Sequence, residues 1–357
     1  MREALRLAAF GHGRTSPNPM VGAVLVRDGR IVGAGWHRKA GTEHAEVHAL
    51  RMAGELARGA ALYVTLEPCS HTGRTGPCAR ALIEAGVRRV VAAMEDPNPM
   101  VSGQGFQMLR ESGVEVVCGL LEAEARRLNE AFVTWVTEKR PFVTLKTAMT
   151  LDGKTVTAGG ESQWITGEEA RLRGHALRDE SDAILVGIGT VLVDHPSLTT
   201  RLPAGDGKNP VRVILDSRAR MPKGEPMLRD GAAPVWIAVT EDAPKERLER
   251  LQAEGAEVLV AGAGPEVDLP LLLRMLGERN ISSLLVEGGS TVHFSFLSAG
   301  LVDKVCAFLA PMLVGGKSAT PAIGGDGFSR LANAVRLTGT SVEQVGDDYC
   351  FTGYIKR

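Results

Sequence analysis

Short apolar runs alternate with helix-like segments twice along this chain, and a polar, proline-ended break at Glu138-Lys-Arg-Pro141 separates the two series. Alternation of this kind dictates sheets covered by helices on both faces. A chain of 357 residues exceeds what one compact domain usually needs, so two α/β domains are expected, residues 1–140 and 141–357.

In the first series, residues 1–9 read as a short helix, and two apolar runs, Met20–Val26 and Ile31–Trp36, flank Asp28-Gly29 as a hairpin. A helix is expected from His44 to about Ala53, then strand Ala60–Leu66, helix Cys78–Ala85 closed by Gly86, and strand Val87–Met94. Helix Phe106–Glu111, strand Val114–Cys118 and one long helix from Leu121 to about Lys139 follow. In the second series, strand Phe142–Met149 runs to a turn at Asp152-Gly153, and Thr166 with Glu169 forms a capping box for a helix to about Glu180. Apolar strands recur at Ala183–Val186, Val211–Leu215, Val235–Val239, Val258–Val260, Ser283–Val286, Val305–Leu309 and Tyr349–Ile355.

Charge narrows the partners. The 41 basic residues nearly balance 42 acidic ones, a net charge of −1, and aromatic residues make up only 4%. A protein gripping a nucleic-acid backbone needs a basic excess, and one binding single strands needs stacking platforms. A small-molecule partner is expected instead, with no nucleic acid. The start Met1-Arg-Glu-Ala-Leu-Arg6 is charged where a signal peptide is apolar, and the longest plain apolar run, Cys306–Val314, is far too short to span a bilayer, so no membrane contact is expected. Five cysteines in a chain this long do not make a disulfide framework, so a cytoplasmic protein with reduced thiols is expected.

Chemistry concentrates in His44-Ala-Glu46, Glu67-Pro-Cys69 and Cys78, which lies behind Pro77 at a helix start. One neutral imidazole and two thiolates make a good zinc set, and three protein ligands leave a fourth position open. Zinc would lower the pKa of a water to ~7, and Glu46 would carry protons from it to a ring carbon's leaving amine. On an ideal helix positions 44 and 46 lie about 200° apart, so the ion must sit beyond the helix N-terminus. A His44/His48 pair at i,i+4 is the rival ligand set. A closed structural site, with His71 as fourth ligand, is the bland alternative; it gives Glu46 no task.

This pattern resembles the zinc deaminases of cytosine and adenine rings. The eight residues between Cys69 and Cys78, with Pro17-Asn-Pro-Met-Val-Gly22 and Asp96-Pro-Asn-Pro99, are similar to the bifunctional deaminase/reductase family of riboflavin biosynthesis. Gly76 departs from that family's usual proline. The resemblance implies a cytidine-deaminase-like α/β/α sandwich followed by a dihydrofolate-reductase-like α/β domain. It implies deamination of a pyrimidine ribosyl phosphate, then NADPH reduction of the ribosyl chain to ribityl, with Zn2+ and NADPH as cofactors. His44, Cys69 and Cys78 would bind zinc, Glu46 would be catalytic, and Asn18 and His37 would face the pyrimidine or its phosphate. A homo-oligomer is expected.

In the second half, no G-x-G-x-x-G follows a strand. Val286-Glu-Gly-Gly-Ser-Thr291 offers a glycine turn before a helix, suited to a pyrophosphate. After strand Val211–Leu215, Arg218 would favour a cofactor 2′-phosphate, and Asp216 an unphosphorylated ribose; the residues alone leave both open. The resemblance points to NADPH, with Ala148, Trp164, Thr190, Asp194, Ser217 and Gly289 as its contacts. It places Ser162, Arg178, Leu198, Arg201 and Glu287 against the substrate. His195 stands where the family more often has Asp. Guanidinium forks suit a phosphate, although without the resemblance Arg178 and Arg201 read as surface charge. Trp164 could cover the nicotinamide but reads more often as core, and Lys146 reads either as the donor that protonates the opened sugar imine or as a solvated lysine. The rivals are a nucleic-acid or tRNA base deaminase with an appended domain, and a non-catalytic zinc-stabilised module.

Overall fold

The structure is a computed structural model, describing residues 1–70, 76–99, 101–205 and 207–356. The chain folds as two compact units, Met1–Lys139 and Arg140–Arg357. The first unit contains α1 (Arg2–Ala8), β1 (Gly22–Arg27), β2 (Arg30–Trp36), α2 (Ala45–Ala53), β3 (Ala61–Val64), α3 (Cys78–Glu84), β4 (Arg89–Ala92), α4 (Gln104–Glu111), β5 (Glu115–Cys118), α5 (Glu122–Leu128) and α6 (Glu130–Glu138). Its sheet runs β2-β1-β3-β4-β5, antiparallel across the first three strands and parallel from β3 to β5. The hairpin closes through Asp28 (φ 49°) and Gly29 (φ 74°), both left-handed as a tight two-residue turn requires. Leu25, Leu62, Val64, Val90 and Ala92 from the strands and Ala49, Leu82 and Leu109 from the helices are buried in one cluster.

The long helix expected from Leu121 breaks in two at Asn129 (φ −106°, ψ 26°). The cause is tertiary. Asn129 is buried, its Oδ1 accepts from Met20 N at 2.7 Å, and its Nδ2 donates to Met20 O at 3.0 Å, so satisfying a distant backbone wins over helix continuity.

The second unit contains β6 (Phe142–Thr150), β7 (Lys154–Val156), α7 (Glu168–Glu180), β8 (Ala183–Gly187), α8 (Ile188–Asp194), β9 (Val211–Leu215), β10 (Val235–Val239), α9 (Lys245–Ala253), β11 (Glu257–Val260) and α10 (Leu269–Glu278). It continues with β12 (Ser283–Gly288), α11 (Ser290–Ser298), β13 (Lys304–Ala310), β14 (Thr320–Pro321), β15 (Leu337–Val345) and β16 (Asp348–Ile355). Nine strands form one sheet in the order β11-β10-β9-β8-β12-β6-β13-β16-β15, parallel from β11 to β13 and antiparallel at the β16 and β15 edge. Alternate residues of β8 serve opposite cores: Ala183 and Leu185 pack with α10 and α11, Ile184 and Val186 with α8 and α9. Burial on both faces explains why these strands read as continuous apolar runs.

The expected capping box does not form. Gly167 caps α7 without a side chain, and its N–H donates to Asp348 Oδ2 at 2.7 Å, so an acid from β16 takes the N-cap N–H in the way the box's Glu169 was expected to.

Candidate active sites

In the first unit, His44 is the N-cap of α2 with extended backbone (φ −75°, ψ 163°), so its imidazole swings off the helix end and the 200° separation from Glu46 no longer applies. Cys78 opens α3, and Cys69 follows β3 through the buried Leu66 and Glu67. His44 Nδ1 lies 3.3 Å from Cys78 Sγ and 3.6 Å from Cys69 Sγ, and the three donor atoms fall within 4.8 Å of one another. Zinc bonds of about 2.05 Å to nitrogen and 2.3 Å to sulfur at a tetrahedral angle separate N from S by about 3.6 Å. The donor set fits one zinc ion. Among the described residues it is the one cluster of its kind.

The Cys69 thiol is held well down by the Cys78 thiol beside it, against burial, with His44 and the Cys78 backbone N–H (3.3 Å) assisting. The same contact, with burial, pushes Cys78 up. Glu46 is buried, and its Oε2 has no hydrogen-bond partner. Burial, then the Cys69 charge, pushes its carboxyl up to about 7. A carboxyl that titrates near pH 7 with one oxygen unpartnered is what a proton carrier requires.

His48 is not brought to this cluster. Its ring lies 3.9 Å from Glu43 Oε2, and its Cβ packs over Gly35 on β2. His71 lies outside the described residues. A cavity of about 540 Å³ opens beside the cluster, walled by Asn18, His37, Glu46, Asp96, Asn98 and Phe132. His37 Nδ1 donates to Glu43 O at 3.1 Å, which leaves Nε2 to accept from Asn18 Nδ2 at 3.3 Å. Burial keeps His37 below its ordinary pKa, in keeping with that neutral tautomer.

Sequence reasoning missed Glu67. Its two carboxylate oxygens accept from Asp96 N (3.2 Å), Gly103 N (3.0 Å), Gly105 N (2.8 Å) and Phe106 N (3.2 Å). One buried carboxylate thus ties the Pro68-Cys69 turn to the loop carrying Asp96 and Asn98. The signal was available: an acid directly before Pro-Cys in an otherwise apolar strand end.

In the second unit a cavity of about 1010 Å³ crosses the carboxyl ends of parallel strands, the usual place for ligands in such sheets. Ala148, Trp164, Thr190, Asp194, Ser217 and Gly289 all line it, as do Ser162, Arg178, Arg201 and Glu287. Leu198 does not; its side chain is buried with Ile188 and Val191 in a core cluster. Trp164 is 66% exposed, with Arg171 stacked 4.6 Å from its ring centre, so it is a wall and not core.

Arg178 is no surface charge. Its Nε and Nη2 donate to Glu287 Oε1 (2.9 Å) and Oε2 (2.7 Å), its Nη1 donates to Thr199 O (3.0 Å), and Lys146 Nζ approaches Glu287 Oε2 at 3.7 Å. Burial pushes the Glu287 carboxyl up, yet Lys146 and Arg178 outweigh it and hold it at about 2. Arg201 N donates to His175 Nδ1 at 3.3 Å, and burial with the Arg178 and Arg201 charges lowers His175 to about 4. Lys146, Arg178 and Arg201 against Glu287 leave a net of two positive charges, matched to a phosphate dianion.

A glycine turn fits a dinucleotide here. A Cβ on Gly187 would meet Val292 at 2.8 Å, one on Gly288 would meet Val186 at 3.0 Å, and Gly289 (φ 89°) caps α11. Glycines here let β8 pack closely against Val292 of α11 and β12 against Val186 of β8, and bring the backbone N–H groups at the start of α11 to the cavity, where a pyrophosphate can be met. Asp216 is turned away: it is fully buried, with Oδ2 accepting from Met221 N at 2.8 Å.

Comparison with known proteins agrees with this geometry. The RibD C-terminal domain profile matches residues 141–351, and the cytidine and deoxycytidylate deaminase zinc-binding region matches residues 1–94. The riboflavin biosynthesis protein RibD of Bacillus amyloliquefaciens is 47% identical over 356 residues, covering 100% of this chain and 95% of that protein. The Escherichia coli K12 protein of the same name is 42% identical over 365 residues, covering 98% and 97%. Among solved structures, Acinetobacter baumannii RibD superposes with a TM-score of 0.90 at 40% identity, covering 100% of this chain and 98% of that one. The Thermotoga maritima diaminohydroxyphosphoribosylaminopyrimidine deaminase/5-amino-6-(5-phosphoribosylamino)uracil reductase gives 0.87 at 39% identity, covering 100% and 97%. The reading as a nucleic-acid deaminase or an inert zinc module is therefore not favoured. The chain belongs to the RibD family, the bifunctional deaminase/reductases of riboflavin biosynthesis, which pair a zinc-binding deaminase domain with an NADPH-dependent reductase domain.

Proposed function

We propose that residues 1–140 deaminate 2,5-diamino-6-(5-phosphoribosylamino)pyrimidin-4-one and that residues 141–357 then reduce its ribosyl side chain to ribityl. The observation that carries the first half is the unclaimed Glu46 Oε2 beside three donor atoms spaced for one metal ion. His44, Cys69 and Cys78 hold the zinc, which when bound supplies the Lewis acidity that makes water a nucleophile at neutral pH. Glu46 takes a proton from the attacking water at Oε2 and passes it on to the leaving amine. Asn18 and His37 orient the ring through their shared hydrogen bond.

In the second half, Arg178 and Arg201 hold the sugar phosphate. Glu287 fixes the Arg178 fork and meets the substrate with it. Ser162 contacts the substrate from the same wall. Leu198, with its side chain in the core, is left a contact through its backbone alone. Ala148, Trp164, Thr190, Asp194, Ser217 and Gly289 contact NADPH, which when bound supplies the hydride. Lys146, adjacent to Glu287, is placed to protonate the opening sugar.

A cytoplasmic homo-oligomer completes the reading. Thiolate ligands and NADPH suit a reducing compartment, and no helix among the described residues is long and apolar enough to cross a membrane. Exposed Leu313, Phe328, Leu331 and Val342 supply apolar surface for a second copy, which light scattering tests. The deciding experiment follows ammonia and NADPH absorbance with the diaminopyrimidine ribosyl phosphate. Ammonia released without NADPH, followed by oxidation once NADPH is added, is expected; no ammonia from zinc-loaded protein refutes the first half.

A further inference from the structure

The second unit's cavity crosses four neighbouring parallel strands in the spatial order β6, β12, β8 and β9. Lys146 and Glu287 line it from β6 and β12, Gly187 and Leu215 from β8 and β9. At about 4.8 Å per strand, the end of β9 lies roughly 10 Å from β12. A dinucleotide with its nicotinamide near Glu287 and its pyrophosphate at Gly288-Gly289 therefore reaches β9 with its adenosine.

Four charged residues compete to meet that adenosine. A carboxylate aimed outward just after β9 would take a ribose diol and repel a phosphate. Asp216 occupies that position but is sealed inside: Met221 N holds Oδ2 at 2.8 Å, and Oδ1 has no hydrogen bond and faces Arg220 Nε at 3.7 Å. Glu266 accepts from Ser217 Oγ at 3.4 Å. Arg218 is exposed and absent from the wall, its carbonyl accepting from Arg247 at 3.2 Å. Arg220 is in the wall, and the buried Asp216 carboxylate engages it at Nε, which leaves both Nη groups for an incoming anion.

We propose that Arg220 receives the 2′-phosphate of NADPH and sets the preference for it over NADH, a step that rests on the cofactor lying in this cavity. Sequence pattern offered Arg218, two residues away, for that phosphate and left it open against Asp216; the turn after β9 presents Arg220 instead. Asp216 then acts by holding Arg220, the reverse of the role its position suggests.

Calorimetry on the full chain with NADP+ and NAD+ tests this without turnover. Unaltered protein is expected to bind NADP+ at least tenfold more tightly than NAD+. Arg220→Gln, at a side chain 55% exposed and so tolerant of change, weakens NADP+ about tenfold or more and leaves NAD+ unchanged. Arg220→Lys recovers part of the loss, and Arg218→Gln has no effect. Equal weakening of both nucleotides, no weakening, or loss of discrimination in Arg218→Gln overturns the assignment while the cavity reading stands. Unaltered protein that binds neither nucleotide overturns both.

Discussion

Replacing Gly105 by alanine tests whether the segment behind Cys69 holds that sulfur in place. A Cβ at 105 would lie 1.9 Å from the Pro68 carbonyl oxygen and 3.1 Å from Glu67 Oε1. Real Cβ atoms essentially never approach another heavy atom closer than 3.0 Å, so α4 or the Glu67–Cys69 segment must retreat by at least about 1.1 Å. The start of α4 is pinned by buried Phe106 and Leu109, so the segment carrying Cys69 yields. A metal site tolerates about 0.2 Å in its ligand distances, several times less than this displacement. Overpacking also costs the first unit about 1–3 kcal/mol. After gel filtration, zinc content is expected well below one per chain, with ammonia release down at least tenfold, as when the support behind a ligand is lost. NADPH oxidation with 5-amino-6-(5-phosphoribosylamino)uracil is unchanged. Full zinc and full ammonia release in Gly105→Ala would refute the reasoning.

Glu46→Gln keeps its zinc, measured by metal analysis, and loses ammonia release by two orders of magnitude or more; an active variant removes Glu46 from the proton path. Arg178→Ala raises the reductase KM at least tenfold with deamination intact, and equal loss of both activities argues against separate sites. The Glu287 carboxyl, at about 2 against 4.5 for an ordinary Glu, adds stability that is fully present above about pH 4.5 and lost as pH falls through 2. Urea midpoints should drop over that window, less steeply in Glu287→Gln; parallel slopes would show that the carboxylate is not coupled to folding.

Legibility followed the range of the forces involved. Strand Val235–Val239 has the boundaries expected, because a strand covered on both faces reads as one apolar run; Val211–Leu215 does too, although its fully buried Arg212 interrupts the run and is paired with Asp230 at 2.7 and 2.8 Å. The edge strand Leu337–Val345 left no such trace; it is exposed along most of its length and is set by pairing with β16. The break at Asn129 and the cap on α7 depend on partners 109 and 181 residues away, which no local window contains. The donor cluster was legible since His, Cys and Cys carry their chemistry in their identity. The Leu198 side chain lies in the core, a placement that the matched position did not convey.

Charge explains why these two cavities take different ligands on similar strand-end scaffolds. In the first unit, the lowered Cys69 thiol beside His44 and Cys78 gives the donor cluster the anionic character that suits a cation. In the second, three cations surround one carboxylate held ionised, which calls for an anion of about two charges. Burying either set without its counter-charge is unfavourable, so on the proposed reading a ligand of opposite sign completes each arrangement. Lys146 and Arg178 both lean on Glu287, so the carboxylate sets how much positive charge faces the substrate. Arg201, its pKa lowered by burial and by Arg178, is the least compensated of the three cations. On the reading proposed above, Arg201 is therefore the cation that gains most from an incoming phosphate.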